Sequence, residues 1–208
     1  SPTGITFYEG NLLPEKYRGA LLHTDAGPRE VRAFFRKPKG AGYELDKEVL
    51  LTSSETWFRP SDVCVAPDGS IFVADWYDKN VGGHGMNDPQ DGRIYRLTPK
   101  GHKGYKVREM KLGTKEGVLA ALGSPCLASR ALALNAANTI NLETVSDVVG
   151  SGLHDKNEIV QVRSEWIYTG GGLRYRADRN IGDIISRGER TSLDKFRAQF
   201  IRSRVHDS

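Results

Sequence analysis

Cysteine is nearly absent from this sequence, and the two that occur, Cys64 and Cys126, make no pattern. They have neither the paired spacing of a structural zinc site nor the even framework of a disulfide-stapled domain. No C-x-x-C-H motif occurs, so nothing here attaches a c-type haem. Cys64 lies inside an apolar run and reads as a small buried hydrophobe. Long apolar stretches are missing as well. None approaches the ~18–20 residues that a membrane-spanning helix needs. The opening residues, SPTGITFYEG, carry no basic n-region and no apolar h-region, so they are not read as a signal peptide. The expectation is a chain that begins inside a longer gene product or after a processing site. Neither sign of charge dominates: the net charge is +4 and the pI near 9.0. The basic excess lies toward the end, with ten Lys/Arg against six Asp/Glu from Arg163 onward. Those arginines are scattered among acids and apolar residues, which reads as a solvated helical face and not as a nucleic-acid surface.

What is present in the first half is short runs of Val, Ile and Phe punctuated by turns. Residues 60–66 (PSDVCVA) and 70–74 (SIFVA) flank Pro67-Asp68-Gly69, a turn in which Gly supplies positive φ. Both runs are apolar at consecutive positions, the pattern of strands covered on both faces. A third strand is expected at 92–98, after a Gly/Asp/Asn-rich loop at 79–91. The same plan occurs earlier. Pro2-Thr3-Gly4-Ile5-Thr6-Phe7 matches Pro60-Ser61-Asp62-Val63-Cys64-Val65, and strands are expected at 19–24, 30–36 and 47–52, with a turn at 25–28. Repeats of about 40–50 residues built from four short strands mark propeller blades. The fold class expected for residues 1–111 is therefore an all-β propeller fragment of about two blades. Two blades close no ring, so the expectation is either that further blades lie upstream of Ser1 or that the repeat is not a propeller repeat.

From Lys115 the period changes. Leu127, Ala131 and Leu134 fall at helical steps, and Ser124-Pro125 opens one helix. Asn141 to Thr144 opens a second, ending near Gly150, and a third is expected over 157–169. Gly170-Gly171-Gly172 breaks the pattern. Residues 173–190 are arginine-rich, and a last helix is expected over 193–205. Residues 112–208 read as an α-helical, HEAT-like segment in which helix pairs stack.

Several side chains are candidates for chemistry. Arg59 precedes a strand, where its fork would grip an anionic cofactor; a loop arginine paired with Asp62 or Glu55 is the alternative. Asp62, Asp75 and Asp78 sit at strand starts and ends, where carboxylates bind Ca²⁺ or cap turns. Asp68 belongs to the hairpin turn. His84, in a Gly-rich loop beside Asn87, Asp88 and Asp91, suits a base, a metal ligand or a rim residue. Trp76 and Tyr77 either line a rim pocket for a sugar ring or pack on a neighbouring blade. His102 lies in a basic, Gly-rich link from Pro99 to Gly104.

The pieces Phe58-Arg59-Pro60-Ser61-Asp62-Val63, Pro67-Asp68-Gly69, Ala74-Asp75-Trp76-Tyr77-Asp78, Gly83-His84 and Gly92-Arg93-Ile94-Tyr95-Arg96 resemble the end of the propeller in planctomycete-type membrane-bound dehydrogenases. That propeller is similar to those of the quinoprotein glucose/sorbosone dehydrogenases. The resemblance implies sugar or alcohol oxidation with pyrroloquinoline quinone (PQQ) and Ca²⁺. A histidine base takes the hydroxyl proton as hydride passes to the quinone. It also implies HEAT-like helices after the propeller, a downstream cytochrome c domain and a periplasmic or extracytoplasmic site. The histidine base and calcium ligands lie in earlier blades, so the resemblance assigns no catalytic residue to this chain and implies that it is inactive alone. One cofactor-contacting arginine falls at Arg59, while Ser61 replaces the second. The rival expectation is a non-catalytic propeller and solenoid scaffold that binds glycan or protein.

Overall fold

The computed structural model describes residues 2–79, 90–104 and 109–170. His84, the arginine-rich stretch 173–190 and the helix expected over 193–205 lie outside the described residues. The chain divides at Val107–Arg108, with Ser124–Leu127 grouped with the first unit. The change had been expected after residue 111.

The first unit holds two antiparallel sheets. Strands β1 (Pro2–Phe7), β2 (Leu21–Asp25), β3 (Glu30–Lys39) and β4 (Gly42–Thr52) follow one another across the first; β5 (Pro60–Val65), β6 (Ile71–Asp75) and β7 (Arg93–Leu97) make the second. The Pro67-Asp68-Gly69 turn closes as its residue types require. Gly69 takes φ 87°, and Asp68 Oδ1 accepts from Ser70 N at 2.9 Å and Ser70 Oγ at 2.6 Å. A short 3₁₀ turn, Glu15–Tyr17, follows β1 and buries Tyr17 in the shared core.

Two features differ from the sequence expectation. Strands β3 and β4 run well beyond 30–36 and 47–52, meeting at a turn through Gly40, whose φ is 58°. The extension is exposed, Tyr43 and Leu45 included, and is held by the ladder and by cross-strand pairs such as Lys37–Asp46 and Lys39–Glu44. Hydrophobic runs carry no trace of it. In β5, burial alternates: Val63 and Val65 enter the core and Cys64 is exposed. The strand is thus covered on one face only, and Cys64 is not a core residue.

The two sheets are copies of one motif. A register irregularity falls at the same place in each, between Pro2 and Ile5 and between Pro60 and Asp62. Thr3 Oγ1 donates to Thr24 O at 3.1 Å, and the matching Ser61 Oγ donates to Ala74 O at 3.3 Å. Their shared core gathers Tyr8, Leu22, Val31, Ala33, Val63, Val65, Ile71 and Val73.

The second unit contains α1 (Lys115–Leu122), α2 (Leu127–Ala137), α3 (Leu142–Leu153) and α4 (Glu158–Gly170). Thr114 and Asn141 cap α1 and α3 by accepting from Gly117 N and Thr144 N. Helix α1 was not expected as an element of its own, since Gly117 and Gly123 blur its period. Helix α3 continues through Gly150 to Leu153, where a stop at Gly150 had been expected. Val118, Leu122, Ala133, Val145, Val148, Val149 and Ile167 form the core. Arg163 Nη1 donates to Leu122 O at 2.6 Å, satisfying a carbonyl at the end of α1. No helix among the described residues is long and apolar enough to cross a membrane.

Candidate functional site at one end of the second sheet

The register Pro60–Asp75–Arg93 brings the start of β5, the end of β6 and the start of β7 to one end of the sheet. Arg59, Asp75, Trp76 and Tyr77 collect there. So do three residues that sequence reasoning did not assign to the site: Glu55, Trp57 and Arg93.

Asp75 is buried, and its Oδ1 accepts from Arg59 N at 2.7 Å and Tyr77 N at 2.8 Å. It ties the chain entering β5 to the chain leaving β6, while Oδ2 is buried without a hydrogen-bond partner. Arg59 is 8% exposed. Its Nη1 donates to Thr56 O and Phe58 O, both at 2.9 Å, and Nη2 to Lys79 O at 3.4 Å. Neither Asp62 nor Glu55 pairs with it; its partners are backbone carbonyls of the loops on either side. Nε is buried and unpartnered. As placed, the two terminal nitrogens of Arg59 are turned to loop carbonyls.

Tyr77 adopts φ 53°, the left-handed region that a bulky side chain rarely enters. Several contacts hold it there besides the Asp75 bond. The Arg93 guanidinium lies 3.7 Å from its ring centroid, the Trp57 ring lies 5.8 Å away, and its hydroxyl donates to Glu55 Oε2 at 3.1 Å. Trp76 is half exposed beside this stack. A Trp one residue before Phe58-Arg59 was the available signal for Trp57, but nothing in the sequence said it would meet Tyr77. Together these rings make an aromatic rim with a carboxylate and a guanidinium at its edge, chemistry suited to an apolar ring face bearing hydroxyls.

The three aspartates do not act together. Pleating sets Asp75 on the core side of the sheet. Asp62 is exposed, its Oδ1 accepts from Val63 N at 2.8 Å, and it stands against Gly4 of β1. Asp78 is buried next to the rim. Among the described residues no group of three His, Cys, Asp or Glu side chains could hold a metal ion. Asp62, Asp75 and Asp78 therefore make no shared metal site. At the far end of the sheet, Asp68 does more than close its turn: Oδ2 accepts from Arg96 Nη2 at 2.6 Å and lies 3.3 Å from His102 Nε2.

Fold and site define a chain with two successive copies of an antiparallel sheet motif, an aromatic rim on the second, and a helical unit. Residues 1–101 match the family model described as a domain of unknown function, DUF7133. No curated protein matches the chain. Among solved structures the chain is similar to one assigned as an oxidoreductase (glucose dehydrogenase) from Thermus thermophilus. The identity is 22% and the TM-score 0.32, and the match covers 46% of this chain and 24% of that one. The chain thus spans about a quarter of that protein's length.

Proposed function

We propose that residues 2–104 are two successive blades of a β-propeller, and that the chain is the propeller end and HEAT-like linker of a quinoprotein-like sugar or alcohol dehydrogenase. The observation that carries the propeller reading is the repetition of one sheet motif, with the same irregularity in register and the same Thr3 and Ser61 hydrogen bonds. The dehydrogenase reading rests on the motif resemblance from Phe58 to Arg96. In it this chain supplies propeller wall and substrate rim: Trp57, Trp76 and Tyr77 for a sugar ring, with Glu55 and Arg93 at its edge. Blades upstream supply the histidine base and the calcium ligands, an extracytoplasmic setting supplies the substrate, and a downstream cytochrome c domain receives the electrons. Arg59 holds the rim loops and no chemistry is routed through it.

The occupied guanidinium of Arg59 favours a second reading, a scaffold that binds glycan at the same rim without catalysis. The two are separated by sugar- and alcohol-dependent reduction of an artificial acceptor, with PQQ and Ca²⁺ added. The chain is assayed alone and extended upstream by further sheets. The enzyme reading expects turnover in the extended protein only. Absence of both turnover and saturable quinone binding in the extended protein selects the scaffold.

A further inference from the structure

Strand β4 is one edge of the first sheet, whose order is β1-β2-β3-β4, and it runs for 11 residues from Gly42 to Thr52. Strands in globular proteins average about five or six residues. Among the described residues, no backbone bond ties Gly42–Val49 to anything but β3. The outward N–H and C=O groups of that stretch are a row of unpaired donors and acceptors. Neighbouring copies of the motif stack on its faces, as the second sheet stacks on the first, and a neighbour on a face leaves this edge bare. Moreover, β3 and β4 run past the row Phe7, Leu21, Phe34 and Lys47, where β1 and β2 stop. The second sheet buries Val31 and Ala33 and leaves Lys37, Lys39 and Gly42–Lys47 exposed.

We propose that the β4 edge docks an extended peptide of another protein as an added strand, with Lys or Arg at alternate positions and apolar residues between them. The pleat sorts the side chains of the edge into two rows. One row is acidic: Glu44, Asp46 and Glu48. Behind it stand Lys37 and Lys39 of β3, with Lys16 also at Glu48. Glu44 and Asp46 remain 56% and 54% exposed, and each is tied to lysine through one carboxylate oxygen. Basic β3 and acidic β4 thus alternate across the sheet, and a further strand continues the alternation with cations, since opposite charges across strands stabilise and like charges repel. The other row holds Tyr43 and Leu45, 65% and 52% exposed, with Lys47. Tyr43 and Leu45 take the apolar residues of the guest. A second copy of this chain is the wrong guest. Two β4 strands paired antiparallel about their centre set Asp46 against Asp46 and Glu44 against Glu48, acid against acid. In strand addition the main-chain bonds supply affinity and the alternate side chains supply selectivity.

The test is fluorescence anisotropy with a labelled peptide of alternating lysine and valine, as long as β4, titrated against the 208-residue chain. Saturable binding is expected, with slowed hydrogen exchange over Gly42–Val49. Two control peptides separate strand addition from plain charge attraction. One has the same residues arranged as a lysine block and a valine block; the other is N-methylated at alternate residues, which removes backbone donors. Both are expected to lose the binding. Asp46→Lys should weaken the lysine peptide roughly fivefold, the scale of turning one cross-strand attraction into a repulsion. The same variant should bind a peptide of alternating glutamate and valine better than the wild type does. If circular dichroism finds Asp46→Lys unfolded, Asp46→Asn replaces it and should still weaken the lysine peptide. The proposal is overturned if the alternating peptide does not bind, or if either control binds as tightly. It is also overturned if charge change at Asp46 in a folded variant leaves both affinities unmoved, or if the chain alone dimerises with protection of Gly42–Val49, which gives the edge to a second copy.

Discussion

The Tyr8 hydroxyl donates to the Gly69 carbonyl at 2.9 Å, joining the end of the first sheet's opening strand to the hairpin turn of the second. The same oxygen accepts from Leu13 N at 2.9 Å, and the ring is fully buried. Burial pushes the phenol above its usual pKa, against the pull of nearby backbone donors, so it stays protonated at neutral pH. Tyr8→Phe keeps the ring and strips both bonds. A buried group left unsatisfied costs about 1–3 kcal/mol. The expected result is a lower urea midpoint for the β unit with an unchanged slope. An unchanged midpoint would mean that these two bonds contribute nothing net.

Arg59 gives a second prediction, and its sign separates two roles. As a clamp on Thr56, Phe58 and Lys79 carbonyls, its loss removes charge-assisted bonds, each typically worth ~1.5–3 kcal/mol. Arg59→Ala is then expected to destabilise the chain by roughly 2–3 kcal/mol in the absence of any ligand, on the same scale. Arg59→Lys should recover little, because an ammonium cannot reproduce the planar fork. An exposed cofactor anchor behaves the other way. Its removal leaves stability nearly intact and weakens quinone affinity about tenfold to a hundredfold, or ~1.4 kcal/mol per factor of ten. Denaturation of both variants decides between the two.

Why the first role was hidden in the sequence is physical. Strands announce themselves through side chains, as Val63, Val65, Ile71 and Val73 do, and a hairpin announces its turn through Pro67-Asp68-Gly69. A guanidinium bonded to backbone carbonyls leaves no such trace, since every residue type carries a carbonyl. Tyr77 is similar: its φ is set by Asp75, Arg93 and Trp57, which the fold assembles from three separate segments. The match of Pro2–Phe7 to Pro60–Val65 was legible in composition, but which face each copy buries was not. That depends on register, and the consecutive apolar run Val63-Cys64-Val65 conceals its alternation.

Acid should loosen the far end of the second sheet. Burial disfavours the Asp68 carboxylate. Hydrogen bonds from Ser70 Oγ and N, Arg96 and His102 together outweigh that and hold its pKa below the ordinary 3.8. A carboxylate whose folded pKa is depressed stabilises the fold fully above its unfolded pKa. That stability is lost as pH falls through the lower folded value, so the window opens just below pH 4. Asp68→Asn should be less stable than the wild type at neutral pH and should lose less stability on acidification. Urea midpoints at neutral pH and at about pH 3 test this; parallel losses in the two proteins would remove Asp68 as a cause.

Two glycines on one helix should answer substitution by alanine in opposite directions. Both Gly150 and Gly152 lie in α3, where glycine costs roughly 0.5–1 kcal/mol relative to alanine. At Gly150 an added Cβ meets nothing within 4 Å. Gly150→Ala should therefore stabilise the helical unit by about that amount. At Gly152 the new carbon would fall onto Ser164 Oγ and Cβ of α4, and Leu119 Cδ2 lies only 3.1 Å away. Ser164 is itself fully buried, so neither helix can yield without moving the other. Overpacking of this kind typically costs ~1–3 kcal/mol, more than the gain in helix propensity. Gly152→Ala should consequently lower the melting temperature of the helical unit while Gly150→Ala raises it. A Ser164→Gly substitution made together with Gly152→Ala should restore much of the loss, because it returns the missing space from the opposite helix. If Gly152→Ala alone proves as stable as the wild type, α3 and α4 do not approach as closely as Gly152 and Ser164 indicate.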